Sequence, residues 1–400
     1  MQAIKDYLAN FNLDIRESGD ARFMDQKCTP DVISIIADCV INFVGNNHDK
    51  TFTVNDIWNS QYFIKTVSNI FKKPEANNPT VEHEYDKFIA QPLRTLAYSH
   101  VLNIEKSGVT NLYSIAEYDI LEYISLKDRN AYLFLCEYLE KVLIDSGIYS
   151  SFENYKNLYL GHKLDTAAFN TLKEKFQRFI IGNTKINGYV EVNRIFPKIL
   201  NIYAVQNNLP GTIKGFLSKF EFSYSDLMYN RKNWRDVKKD KKISRQEAEA
   251  EYNLLNLESK NYYDDYLIQK AMNQIRKMYT ESEVRDQWSI GEATQIHHIF
   301  PKQKFPQIAH YLENLIKLNA TQHYTKAHPS NKTNSINIDY QLVCLLAKSD
   351  SIERSLQINQ PYYRKESFIY CINTGLSAEL KYDLTFKQIK AELATIYNNL

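Results

Sequence analysis

Glycine and proline are scarce in this 400-residue chain, with 11 of the first and 10 of the second. Together they make about 5% of the residues against a usual ~12%, which favours a helix-rich architecture. Long hydrophobic runs are missing as well: no apolar stretch approaches the ~18 residues that a membrane span needs. The first 25 residues are studded with charges, unlike a secretory leader. A cytoplasmic protein is the expectation. The five cysteines (Cys28, Cys39, Cys136, Cys344, Cys371) include no Cys-x-x-Cys pair, which argues against a zinc ribbon, and their odd number argues against a disulfide framework. There is no P-loop, so the chain is not itself an ATP-driven translocase, and His83-Glu84 lacks the second histidine of a zinc protease.

Charge of either sign is nearly balanced, at +2 net. Resolved along the chain, the balance is uneven. Residues 229–245 hold eight basic and two acidic side chains, and residues 291–332 hold five lysines and two glutamates, leaving −7 for the remainder. Concentrated positive charge is the footprint expected for a polyanion. Arg231, Lys232, Trp234, Arg235, Lys238 and Lys239, interleaved with Asn230 and Asn233, mix cations, amides and an aromatic ring, a set suited to nucleic acid.

Histidine is where the sequence is rich. Five of nine (His297, His298, His310, His323, His328) fall within 32 residues, and imidazole is the side chain that can accept a proton or ligate a metal near pH 7. The order is Ile-His-His-Ile-Phe-Pro-Lys at 296–302, then Asn314, His323 and His328. Thr294–Phe300 has strand character, Leu315–Leu318 is a second short apolar run, and Asn319 with Gln322 has capping-box spacing for a helix over Ala320–Ala327 that stops before Pro329.

This arrangement resembles the HNH, or ββα-metal, nuclease motif in its double-histidine form, as in nuclease colicins and some restriction endonucleases. The resemblance covers about a tenth of the chain. It implies His298 as general base, Asn314 as the residue that braces the loop and orients the base, and His297 and His323 as ligands of one divalent cation (Mg, Mn, or Zn/Ni). His328 is a further candidate ligand, but it follows His323 by five residues where the colicins have four, a rotation of about 140° on an ideal helix. Lys302 and Lys304 are placed to meet a DNA backbone.

Upstream, Thr29-Pro30 opens an expected helix to Val44, Thr53 caps another to Trp58, and Tyr62–Phe71 is a third. A fresh helix is expected from Pro92 through Val101, then a hairpin around Lys106-Ser107-Gly108 and a helix over Glu117–Ile124. Helices followed by a hairpin resemble a winged helix-turn-helix, in which the helix before the wing enters the major groove; this nominates Arg94, Thr95, Tyr98, Ser99 and His100. The expected fold is therefore α+β and predominantly helical. Residues 1–128 are a winged-helix-like recognition region, 129–228 a helical connecting region, and 229–400 a basic segment plus nuclease module with its core at 294–330.

The function this implies is that of a type II restriction enzyme, a sequence-specific endonuclease of double-stranded DNA, acting as a homodimer beside a cognate methyltransferase. Two rivals stay open: a less specific HNH nuclease of a phage-defence or toxin system, and a DNA-binding regulator whose nuclease site is degenerate.

Overall fold

The computed structural model describes residues 2–71, 82–229, 245–328 and 336–399. Helices hold 62% of the chain and the sheets are small and antiparallel, the predominantly helical α+β class expected from so little glycine and proline. The chain divides into two units, Met1–Ser259 and Lys260–Leu400. The boundary expected near 128 falls inside the first unit, where helices on either side of it pack together.

In the first unit, α1 (Gln2–Leu8) and the short α2 (Ile15–Ser18) lead to α3 (Pro30–Val44). Helix α3 buries Val32, Ile33, Ile35, Ile36, Cys39 and Val40 on all sides, so it can only sit in the middle of a helical layer. Packed on it are α4 (Val54–Trp58), α5 (Gln61–Phe71) and α6 (Glu82–Tyr98). The Thr53 hydroxyl and the Asp56 carboxylate cap α4 reciprocally. Hairpin β1 (Leu102–Ser107) and β2 (Thr110–Ile115) follows, then α7 (Tyr118–Leu126) and α8 (Asp128–Asp145), both also against α3. Beyond these come α9 (Tyr149–Leu160), α10 (Thr166–Asn183) and α11 (Tyr189–Asn207), and a second hairpin, β3 (Pro210–Ile213) and β4 (Phe216–Glu221).

One local expectation is corrected, and one element is new. No helix starts at Pro92: α6 runs through it, because Tyr85, Phe88 and Ile89 before it and Leu93 and Leu96 after it share one buried face, and that packing outweighs the lost backbone donor. The β3–β4 hairpin was not foreseen. Its turn is Lys214-Gly215, with φ of 51° and 82°, left-handed geometry that glycine announces but lysine does not.

Helix α12 (Arg245–Met278) is one continuous helix that carries the chain into the second unit. There β5 (Gln295–His298) pairs with β6 (Leu315–Leu318), from Gln295 opposite Leu318 to His298 opposite Leu315. A helical turn ending at Ala327 follows, then α13 (Ile338–Gln357), α14 (Lys365–Leu376) and α15 (Phe386–Asn398). Helix α13 packs against both α14 and α15. Among the described residues all five cysteines are buried and free, and no helix is long and apolar enough to cross a membrane.

Candidate metal centre and base

Adjacent residues on a strand point to opposite faces, and β5 uses this at His297 and His298. His297 is buried and joins His323 and His328, with ring centroids 5.4 Å and 4.8 Å away; His323 and His328 are 4.8 Å apart. One nitrogen from each of these three rings lies within 4.8 Å of the other two, little more than twice a metal–imidazole bond of ~2.1 Å. Thus β5 supplies one histidine and the turn after β6 supplies two.

The five-residue gap between His323 and His328 does not separate them. Residues Gln322–Ala327 form a π-turn, and the His328 N–H donates to the His323 carbonyl at 3.2 Å. An i→i+5 bond closes a wider turn than the ~3.6 residues of an α-helix, and His328 leaves that turn in extended backbone, so its ring ends 4.8 Å from that of His323. The start of the turn is set as the sequence indicates: Gln322 N–H donates to Asn319 Oδ1 (2.8 Å) and Asn319 N–H to Gln322 Oε1 (3.2 Å).

On the other face, His298 Nε2 lies 3.1 Å from the Ala309 carbonyl. A carbonyl only accepts, so Nε2 carries the proton and Nδ1 keeps its lone pair. That is the tautomer a general base requires. The loop behind it is held by Asn314, which is fully buried. Asn314 Oδ1 accepts the Phe300 N–H at 2.8 Å, and its Nδ2 donates to the Phe300 and Ile308 carbonyls at 3.1 and 3.2 Å. Asn314 therefore acts on the base at one remove, through the peptide beside Ala309. Nothing in the sequence marks Ala309, because its contribution is a backbone oxygen.

The electrostatics favour neutral rings. Burial pushes the His297 pKa well below the usual imidazole value, and His328, His323 and His298 add to the effect. His323 is lowered to about 4, by burial and then by His328. Burial also lowers His298, with the Ala309 carbonyl opposing it and Lys302 reinforcing it. Neutral imidazoles are the form that ligates metal or takes up a proton. His323 Nδ1 is buried without a hydrogen-bond partner, an arrangement that costs about 1–3 kcal/mol unless something else satisfies it. A histidine cluster with two rings held neutral by burial and one orphaned nitrogen fits a divalent cation.

A buried ion pair supports the hairpin. Lys348, on the apolar stripe of α13 with Leu345 and Ile352, donates to both Glu283 oxygens at 2.9 and 2.7 Å and to Tyr363 Oη at 3.0 Å. Glu283 Oε1 in turn accepts the Lys317 N–H of β6 at 2.8 Å. Sequence reasoning passed over both residues, although a lysine in an apolar stripe is a visible signal of a buried partner.

Other expected contacts fare differently. Lys302 is exposed and paired with Asp265 at 2.7 Å, and Lys304 is exposed. Arg94 is half-buried. Ser99 is corrected: it is fully buried, with Oγ donating to the Leu96 carbonyl at 2.9 Å, because the turn that ends α6 continues the buried face that carries Thr95. Arg231, Lys232, Trp234, Arg235, Lys238 and Lys239 lie outside the described residues. Comparisons with protein-family models, with curated proteins and with solved structures found no match.

Proposed function

We propose that the second unit is an HNH-type nuclease module and that the chain is a type II restriction endonuclease cutting double-stranded DNA at specific sites. The observation that carries this reading is the division of labour on β5. His297 turns to a three-histidine cluster while His298, next to it, presents an unprotonated Nδ1 on the other face.

His297, His323 and His328 would hold one divalent cation. When bound, that cation supplies Lewis-acid stabilisation for the charge on the departing 3′ oxygen. Donors that are all imidazole favour Zn, Ni or Mn over Mg, which prefers carboxylate and water oxygens. His298 Nδ1 takes the proton from the attacking water, and the Ala309 carbonyl holds the ring and stabilises the imidazolium that results. Asn314 keeps that carbonyl in place. The products are 5′-phosphate and 3′-hydroxyl ends.

The first unit, with α6 ahead of the β1–β2 hairpin, would read sequence in a winged-helix-like manner, joined by the basic segment 229–245. One active site per chain calls for a homodimer on a palindrome to cut both strands, with a methyltransferase protecting the host. The test is digestion of a plasmid of known sequence with Mg, Mn, Zn or Ni, followed by mapping of the ends. Discrete fragments with His298→Ala inactive but still bound to DNA are expected. Smearing would favour a non-specific defence or toxin nuclease. A footprint without cleavage would sink the enzyme and leave a DNA-binding regulator.

A further inference from the structure

A cleft of ≈ 370 Å³, lined mainly by charged and amide residues, lies wholly in the first unit, between the turn after α2, one face of α6, the start of β2 and α11. Its size is that of a small-ligand site, ~300–1,000 Å³. Helix α6 presents Lys87, Gln91 and Arg94 along one stripe, at spacings of four and three residues. Arg194 faces them from α11 and Arg22 from the turn.

The charges in this cleft do not cancel. Arg22 is paired with Asp25. Lys87, Arg94 and Arg194 make no ion pair among the described residues, and Asp86 is the one other acid in the lining. Three unpaired cations around a concavity match the oxygens of a phosphate group. The amides beside them match a different chemistry. Gln91 Oε1 is taken by the Lys27 N–H at 2.7 Å, which fixes the side chain and leaves its NH₂ as donor, and Asn111 offers a second amide. A fixed amide donor such as this can hydrogen-bond an acceptor on the edge of a nucleobase. Tyr113 lies behind them: its ring is 1% exposed and its buried hydroxyl makes no hydrogen bond of good geometry, although Arg94 and Asn111 both act on it.

We propose that this cleft binds a nucleotide, with Lys87, Arg94 and Arg194 on the phosphate and Gln91 and Asn111 on the base. The same chemistry has two sources, a free nucleotide or one nucleotide of a DNA strand. The assignment stands apart from the nuclease reading, because every residue it uses is in the first unit.

Calorimetric titration of the full chain tests it, with inorganic phosphate, the four deoxynucleoside 5′-monophosphates and a short single-stranded oligonucleotide as probes. Saturable binding of at least one nucleotide probe is expected, tighter than phosphate. Lys87→Gln and Arg194→Gln, at exposed positions, should each weaken it about 5–10-fold, the range of one lost charged contact, without moving the thermal midpoint. Binding of the oligonucleotide but not the monophosphates identifies a strand as the source; the reverse identifies a free nucleotide. Phosphate binding as tightly as every nucleotide overturns the base-reading half. No saturable binding of any probe, or binding untouched by both substitutions, overturns the whole.

Discussion

The backbone N–H of His328 donates to the carbonyl of His323, five residues earlier, at 3.2 Å. The bond makes Gln322–Ala327 a π-turn, and π-turns are rare enough that one between two clustered histidines calls for a reason. On an α-helix the same two side chains would diverge by about 140°; here their rings are 4.8 Å apart. The turn therefore undoes the effect of one extra residue. Deleting the exposed Thr325 should convert the π-turn to an α-turn with i→i+4 spacing and keep metal affinity within about tenfold. Inserting one alanine after Thr325 should cost as much affinity as His328→Ala, at least about 100-fold. Metal content after dialysis and competition with a chromophoric chelator measure both. Equal losses in the deletion and the insertion would show that the turn geometry is immaterial.

Asn314 offers a separate handle on the base, because it touches neither the three-histidine cluster nor His298 directly. Asn314→Ala removes three hydrogen bonds and strands buried backbone groups of Phe300 and Ile308, at about 1–3 kcal/mol for each unsatisfied group. Asn314→Asp keeps the acceptor for the Phe300 N–H but sets a carboxylate against two carbonyls, so it should not rescue. Urea denaturation reads the stability loss. A split readout reads the positioning role: metal content close to wild type with cleavage reduced is expected. An Asp variant as stable as the parent would remove Asn314 from this role.

What was legible in the sequence, and what was not, divides along a physical line. Side chains that satisfy backbone donors announce themselves: Thr53 with Asp56 and Asn319 with Gln322 mark their helix starts because the capping groups are chemical, and at α3 it is the fixed φ of Pro30 that marks the start, since Thr29 makes no cap hydrogen bond. The histidine cluster was legible for the same reason. The π-turn was not, since an i→i+5 bond is made by peptide groups that every residue carries. Nor was the Ala309 carbonyl. Ser99 misled because burial of the α6 face is decided by what packs on it, namely α3, β1 and the turn at Ala21–Phe23, and not by its own polarity. The uninterrupted α6 shows that contacts on both sides of Pro92 override a local breaker.

The Lys348–Glu283 pair is fully buried on both sides. Burial lowers the Lys348 pKa and Glu283 counteracts it, so the lysine depends on its partner to stay charged. Lys348→Met leaves a buried carboxylate with no counter-charge and should cost about 3–5 kcal/mol. Adding Glu283→Gln removes that charge while retaining an oxygen for the Lys317 N–H of β6. The double variant should therefore recover a substantial part of the loss, in chemical denaturation followed by circular dichroism. A double variant no more stable than Lys348→Met would mean that the pair is not an isolated electrostatic unit.

Gly375, in the last turn of α14, lies directly under the ring of Phe300. A β-carbon there would fall 2.2–2.4 Å from three ring atoms, far inside van der Waals contact. Phe300 has little room to give way: it is 1% exposed and both its backbone polar groups are held by Asn314. Replacing a helical glycine by alanine ordinarily stabilises by about 1 kcal/mol. Overpacking a filled core costs about 1–3 kcal/mol, and here it should win. Gly375→Ala is expected to destabilise the second unit, and to slow cleavage more than it reduces metal content, because Phe300 lies two residues beyond His298 on the same run of chain. Phe300→Leu in the Gly375→Ala background, which trims the ring to make room, should restore part of the stability. A Gly375→Ala protein that unfolds at higher urea than the parent would show that Phe300 does not rest on this helix.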